Sequence, residues 1–422
     1  MEKKKGLLAP YKGLPKEVYI IFLARIINAA GLFVFPLLTL LLTRKIGLSE
    51  GEAGLWITIS GIAFMGSSLI GGKITDKFGR KKIIVTCDII GIIGFVACAF
   101  MEPSMMMCYT IILTGAIMGA ADPAHTALLS DLTTPENRDG AFSLTYYGFN
   151  IGFAIGPMIG SFLFEKNLKL FFLIDAATAL IAVILVILFI KETFASTKED
   201  LGEERALEKN VEGSVFKVLK ERPILLYFSL IFIGYNFVYA QWGFLYPLHT
   251  AHNFGADGTP FYGMLASFNG AVVMVFTPLI TKVFSKKSNM KNIFFGGILY
   301  VIGFGMLGFI STKVAFALSI LIFTLGEILV TISAMPFLAN HTPASHRGRV
   351  NSVLPLLMGL GYTFSPIITG GALKHISIDS MWKIVGGIMI ISVLGILKLE
   401  KSEKETRVVD EEEDKMVGPE IV

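Results

Sequence analysis

Charge is scarce in this chain. Only 17% of its 422 residues are Asp, Glu, Lys or Arg, against about 25% in an ordinary soluble domain. Cysteine is scarcer: Cys87, Cys98 and Cys108 are the only three, all in apolar runs and without the spacing of a metal site or disulfide framework. No P-loop and no nucleophile motif is present, so ATP hydrolysis, enzymatic catalysis, a metal and a cofactor are not expected. The alternating pattern of a membrane β-barrel strand is missing as well. What the chain has in quantity is apolar: 53% hydrophobic residues with 34 Phe, alongside 43 Gly, and a mean hydropathy of +0.66. A water-soluble fold of this size could not cover that much apolar surface. These figures exclude a soluble enzyme, a disordered chain and a nucleic-acid module, and leave a polytopic membrane protein. The opening MEKKKGLLAPYKGLPKE is basic but leads into a full-length apolar run, so a cleavable signal peptide is not expected.

A bilayer core about 30 Å thick takes about 20 apolar residues per helix. Twelve spans are predicted: 18–43, 52–72, 83–101, 104–131, 141–164, 169–190, 223–248, 259–284, 293–311, 313–341, 350–373 and 380–399. The connections are short except for 191–222, which is polar and densely charged. The predicted organisation is a six-helix bundle over 1–190, a linker over 191–222, a second six-helix bundle over 223–399 and an acidic tail over 400–422. Six plus six around a charged connection suggests two repeats facing a central substrate path. With the N-terminus inside, the inside segments hold 29 of the 37 Lys and Arg residues and the outside segments 7; Arg25 lies within a span. That bias predicts cytoplasmic N- and C-termini. The tail VVDEEEDKMVGPEIV is expected to be solvated and disordered, a tail-binding partner being the other reading.

The loop after the second span reads GGKITDKFGRKK, residues 71–82. It resembles the signature of the major facilitator superfamily, G-x-L-x-D-R-x-G-R-R/K-K, through Gly72, Asp76, Gly79, Arg80, Lys81 and Lys82, with Ile74 for Leu and Lys77 for Arg. The physical chemistry suits a gate: an anion at a helix end can cap another helix's N-terminus, and Arg can pair bidentately with a carboxylate. The resemblance implies that Asp76 meets the start of the eleventh span. It also implies that Arg80 pairs with Asp131 at the foot of the fourth, a latch closing the cytoplasmic side. The second-half counterpart, TPLITKVFSKKSN at 277–289, keeps Lys282, Lys286 and Lys287 but has no Asp.

In the fifth span Gly148, Gly152, Gly156 and Gly160 recur every fourth residue, with Pro157 after the third. Small residues at this spacing permit close helix contact and Pro kinks a helix. The stretch resembles the G-x-x-x-G-P-x-x-G motif of drug–proton antiporters; generic tight packing is the other reading. Part of it recurs at Gly359, Gly361, Pro366, Gly370 and Gly371. Two departures from the antiporter pattern are present: Gly115 stands where an Arg is expected four residues before Gly119, and Thr145 where some members carry an acid. The loops TTPENRDGAF and TPASHRGRVN echo one another, Pro135, Arg138 and Gly140 answering to Pro343, Arg347 and Gly348. Such an echo supports an internal duplication.

Charges inside a membrane are costly and mark candidate sites. Arg25 in the first span and Asp122 in the fourth fall at similar depths, and an ion pair between them is predicted, with Asn28 and His125 on the same faces. This pair is either functional or purely structural. Arg cannot release its proton, so titration falls to Asp122 or His125. Glu327, in TLGEILVTISAMP of the tenth span, has no Lys or Arg within spans seven to twelve to pair with. The segment resembles the T-L-G-E-I stretch of Gram-positive multidrug–proton antiporters. Glu327 carries a proton, binds a cationic substrate or is structural. Tyr235, Tyr239, Trp242 and Tyr246, with Asn236, form either an aromatic wall for an amphipathic cation or packing. Tyr147, Asn150 and Asn269 are further substrate-site candidates. Asp175 is read as structural, Asp88 as a partner of basic loop residues, and His249, His252 and His341 as solvated.

The resemblance implies an all-α membrane protein of the major facilitator fold, in the plasma membrane, working as a monomer by rocker-switch alternating access. Gly72, Asp76, Gly79, Arg80, Asp131, Gly156 and Pro157 are the candidate gating residues. The expected activity is proton-coupled export of amphipathic or cationic small molecules, with a proton entering through Glu327 and Asp122 or His125 as a second proton site. The alternative is an importer or facilitator of a sugar, peptide or organic ion; a sensor or flippase on the same scaffold is a third.

Overall fold

The computed structural model describes residues 11–134, 137–193, 222–284, 287–341 and 347–416, with the backbone alone described at 139, 339–340, 347–353 and 402–416. Most of the charged linker, as well as Pro135, Pro343 and Lys286, lies outside the described residues. Helix is the architecture throughout, and no strand occurs among the described residues. The main helices are α1 (Lys16–Ala30), α2 (Leu38–Leu40, continued by a π-turn to Lys45), α3 (Glu50–Phe78), α4 (Arg80–Ala99), α5 (Met105–Asp131), α6 (Arg138–Phe153), α7 (Gly156–Lys166) and α8 (Leu168–Phe189). Beyond the linker come α9 (Pro223–Ala240), α10 (Leu245–Phe254), α11 (Gly258–Phe284), α12 (Asn289–Gly305), α13 (Lys313–His341), α14 (Arg347–Ala372) and α15 (Ile378–Met416). Among the described residues, nine helical segments are long and apolar enough to cross a bilayer, one of them the 62-residue stretch Pro223–Phe284.

Local chemistry sets the boundaries. Ser49 and Glu52 form a reciprocal capping box at the start of α3, and the side chains of Asn167 and Ser288 cap α8 and α12. Gly79 separates α3 from α4 at φ 100°, a conformation that excludes side chains other than glycine at low cost.

Three predicted spans are broken rather than continuous. The run 18–43 divides at residues 31–37, 141–164 at 154–155 and 223–248 at 241–244. Each break precedes or contains a proline that has no N–H to give the carbonyl four residues back: Pro36, Pro157 and Pro247. The freed groups find partners. Buried Asp175 accepts from the N–H groups of Phe33 (3.0 Å) and Val34 (3.1 Å). The carbonyl of Gly243, released by Pro247, accepts from Thr39 Oγ1 at 2.7 Å. Asp175→Ala is therefore expected to lower the unfolding midpoint in detergent, at about 1–3 kcal/mol for each orphaned donor. Asp175→Asn, whose amide oxygen still accepts, should lose less; equal midpoints for both variants and wild type would show that the break is held without this carboxylate.

The tail also differs from expectation: the backbone of α15 stays helical as far as Met416. His249 is fully buried and meets Asn253 through Nε2 at 3.0 Å, rather than being solvated; its helix end is packed into the first unit's core.

Packing groups the chain into two units: 1–202 with 242–274 and 366–375, and 203–241 with 275–365 and 376–422. This is a division by contact, whereas the six-plus-six division read from the sequence is one by repeat. In the first unit the glycine stripe of α6–α7 is a seam against α1 and the turn after it. A Cβ on Gly152 would fall 2.4 Å from the Ile26 carbonyl oxygen, and one on Gly156 2.8 Å from that of Ala29. Gly71, next to the signature's Gly72, performs the same service for α3 and α5: its Cβ would lie 2.1 Å from the Ala120 carbonyl oxygen, while Gly72 meets open space. At the end of this unit away from the 71–82 loop, Arg44 donates to Glu165 (3.1 Å) and to Thr259 Oγ1 (2.7 Å). There too the N–H of Ile367 reaches Thr58 Oγ1 (3.2 Å) and that of Met158 reaches Ser267 Oγ (3.2 Å).

Candidate functional site

Three polar centres stand out against the apolar helices. The first is the 71–82 loop. Arg80 is 9% exposed, and its Nε donates to Asp131 Oδ2 at 2.9 Å. Asp131, with its side chain 5% exposed, also accepts from Thr193 Oγ1 at 2.9 Å. Asp76 lies 3.8 Å from Arg80 and is 78% exposed. The expected Arg80–Asp131 pair is thus present; the side chains at the start of α14, where Asp76 was expected to reach, lie outside the described residues.

Sequence reasoning missed how this loop is tied to the end of α8. Glu192 accepts from the N–H groups of Arg80 (2.8 Å), Lys81 (3.3 Å) and Lys82 (3.2 Å). That places an anion on the N-terminus of α4, where the helix dipole favours it. Lys81 Nζ donates to the Ile187 and Ile190 carbonyls, both at 2.7 Å, a cation at a helix C-terminus. The available signal was Glu192, two residues after the sixth apolar run.

The second centre lies within the first unit. Arg25 and Asn28 on α1, Asp88 on α4 and Asp122 and His125 on α5 line two adjoining cavities of about 180 and 200 Å³. The structure brings Arg25 and Asp122 together as cavity neighbours but not as the predicted ion pair: no pair within 4.0 Å joins them. The reason is the crowd around them. Asp88, expected to serve the basic loop, instead faces His125, Oδ2 to Nε2 at 3.3 Å. Arg25 lies over the Phe149 ring at 5.5 Å and feels both carboxylates at longer range. Pro123 within α5 leaves the Gly119 carbonyl without its helical donor, next to Asp122.

The third centre lies in the second unit. Tyr239 on α9 donates its hydroxyl to Glu327 Oε1 on α13 at 2.8 Å. Tyr300 on α12, missed by the sequence reading, stacks on Tyr239 at 6.1 Å and 17° and lies in electrostatic range of Glu327. The other aromatic candidates do different things. Tyr235 is buried and donates to the Ile293 carbonyl at 3.2 Å. Trp242 and Tyr246 belong to the first unit and pack together with Tyr262. Asn236 donates to the Met358 carbonyl at 2.8 Å, joining α9 to α14. Asn150 donates to the Tyr146 carbonyl of its own helix at 2.9 Å, Asn269 is buried on α11, and Tyr147 is 41% exposed.

Charged residues of both signs within long apolar helices, with cavities beside them and a tied signature loop, are the features of a membrane transporter. The pattern of the Major Facilitator Superfamily matches residues 21–354, and the chain belongs to that family. It is 24% identical over 372 residues to a Na(+), Li(+), K(+)/H(+) antiporter of Planococcus maritimus, covering 81% of this chain and 85% of that protein. It is 25% identical to Multidrug resistance protein 2 of Bacillus subtilis, covering 92% and 96%. In fold it is similar to a crystal structure of the peptide transporter POT in complex with sulfate, with a TM-score of 0.76 at 16% identity over 93% of this chain and 96% of that one. The nucleoside transporter NupG gives a TM-score of 0.70 at 16% identity over 92% and 100%.

Proposed function

We propose that the protein is a proton-coupled antiporter of the plasma membrane that exports amphipathic or cationic small molecules. Twelve crossings in two six-helix halves, with both termini cytoplasmic, complete the reading, and the transport unit is a monomer. The observation that carries it is Glu327: a carboxyl in the middle of a long apolar helix, held by the Tyr239 hydroxyl at 2.8 Å. A carboxyl so placed can take a proton on one side of the membrane and release it on the other, and when ionised it attracts a cationic substrate. The names of two relatives, a multidrug resistance protein and a monovalent cation/H(+) antiporter, support exchange over unidirectional import. The Arg80–Asp131 pair and the exposed Asp76 serve as the cytoplasmic latch in this reading.

The test is transport by the purified protein in liposomes with an acidic interior. Accumulation of tetraphenylphosphonium on imposing the gradient, absent from protein-free liposomes, is the expected result. Accumulation that ignores the proton gradient but follows a substrate gradient would overturn antiport and favour the importer or facilitator reading.

A further inference from the structure

The second polar centre carries charges that a proton path through Glu327 alone does not use. Arg25 on α1 and Asp122 on α5 line the same two cavities. Neither side chain makes an ion pair within 4.0 Å or a hydrogen bond among the described residues, and the same holds for the Asn28 amide, which lines both cavities as well. Asp88 is already engaged by His125. Opposite charges at membrane depth are stabilised by closing on each other. Here no ion pair within 4.0 Å joins them although both line the same two cavities, and that cavity space has a definite chemical complement.

A simple cation entering that space meets the Arg25 guanidinium, and a simple anion meets Asp122 and Asp88. A molecule carrying both charges meets neither objection. A carboxylate can take two parallel N–H groups of Arg25, and an ammonium group can sit on Asp122. One of the two cavities continues along Leu32, Phe35, Phe64 and Phe149, an apolar wall that would accept an aliphatic or aromatic group attached between the two charges.

The geometry points to a binding site in the first unit for small zwitterions, amino acids or short peptides with apolar side chains, with the carboxylate on Arg25 and the ammonium on Asp122. The site stands on these cavities alone and does not need Glu327.

The test is equilibrium binding to the full-length protein in detergent, with L-leucine and L-leucyl-L-leucine as probes. Each is compared with its C-terminal amide and its deaminated acid. At least one zwitterion is expected to bind, and both of its single-charge analogues at least tenfold more weakly. Arg25→Gln should weaken the zwitterion at least tenfold while binding the amide as well as wild type or better, and Asp122→Asn should do so while binding the deaminated acid as well as wild type or better. That crossed pattern assigns each charge to its partner, which general damage to the fold would not produce. Should Arg25→Gln fail to elute as a single species, Arg25→Lys keeps the charge without the planar fork, and weakening of the zwitterion but not the amide is again expected. Glu327→Gln should bind the zwitterion as wild type does, whatever it does to tetraphenylphosphonium, so this site and the antiport reading fail separately. No binding of either zwitterion, analogues within tenfold of it, or variants that bind as wild type would each overturn the proposal.

Discussion

Glu327→Gln is expected to reduce proton-driven accumulation of tetraphenylphosphonium to the level of protein-free liposomes. Glutamine has the shape of a protonated glutamate, and its carbonyl oxygen can still accept from Tyr239, the 2.8 Å contact that holds the carboxyl. The substitution therefore removes the ability to gain and lose a proton while keeping packing and the hydrogen bond. Coupling should vanish with little change in the unfolding midpoint. Substrate-for-substrate exchange in the absence of a gradient gives the discriminating second readout: it needs the conformational cycle but no proton, so it should survive. Full proton-driven accumulation by the variant would remove Glu327 from the mechanism. Tyr239→Phe asks a narrower question. It deletes one hydrogen bond, worth about 1.5–3 kcal/mol to a charged acceptor, and leaves the stacked Tyr300 in place. The expected result is a displaced pH dependence of accumulation with the maximum rate largely kept; an unmoved profile would make Tyr239 a packing residue.

The helices were legible because lipid leaves the backbone no alternative, so each apolar run of sufficient length is helical here. A kink at Pro157 was read, but not that the helix breaks there, and the breaks that Pro36 and Pro247 announced were not read at all. A proline inside an apolar run can be absorbed, as Pro123, Pro278 and Pro336 are within unbroken helices, and only the partners available to the freed groups decide between kink and break. Asp175 and Thr39 supply those partners from sequence-distant elements. The same limit governed the sites. Arg80 with Asp131 was legible through a motif that had already been matched to a fold. Asp88 with His125, Glu192 with the N-terminus of α4 and Tyr300 with Tyr239 are contacts across helices, and nothing in the local pattern assigns one polar residue to another thirty or a hundred positions away. Intramembrane charge identified Arg25, Asp122 and Glu327 individually because of its cost; whether two such charges close on each other depends on what else crowds them.

Arg80→Ala is expected to be the most destabilising single change outside the helix cores. Among the described residues it leaves Asp131, with its side chain 5% exposed, facing only the Thr193 hydroxyl. Removing one member of a buried pair in this way costs about 3–5 kcal/mol, because the remaining charge stays desolvated. The change also loosens a junction where three helices meet: the foot of α5 holds Asp131, the start of α4 is held by Glu192, and the end of α8 is held by Lys81. Asp131→Ala leaves the guanidinium within reach of Asp76, 3.8 Å away and mostly solvated, so it should cost less. The double variant should recover part of the loss of Arg80→Ala, since it abandons no buried carboxylate. Unfolding midpoints in one detergent, read as a double-mutant cycle, measure this directly. A coupling near zero would mean that the pair is held in place by its surroundings and contributes little of its own. Strong coupling together with normal transport would make the junction a structural tie rather than a moving latch, because a latch that opens in every cycle cannot be strengthened or weakened by several kcal/mol without changing the rate.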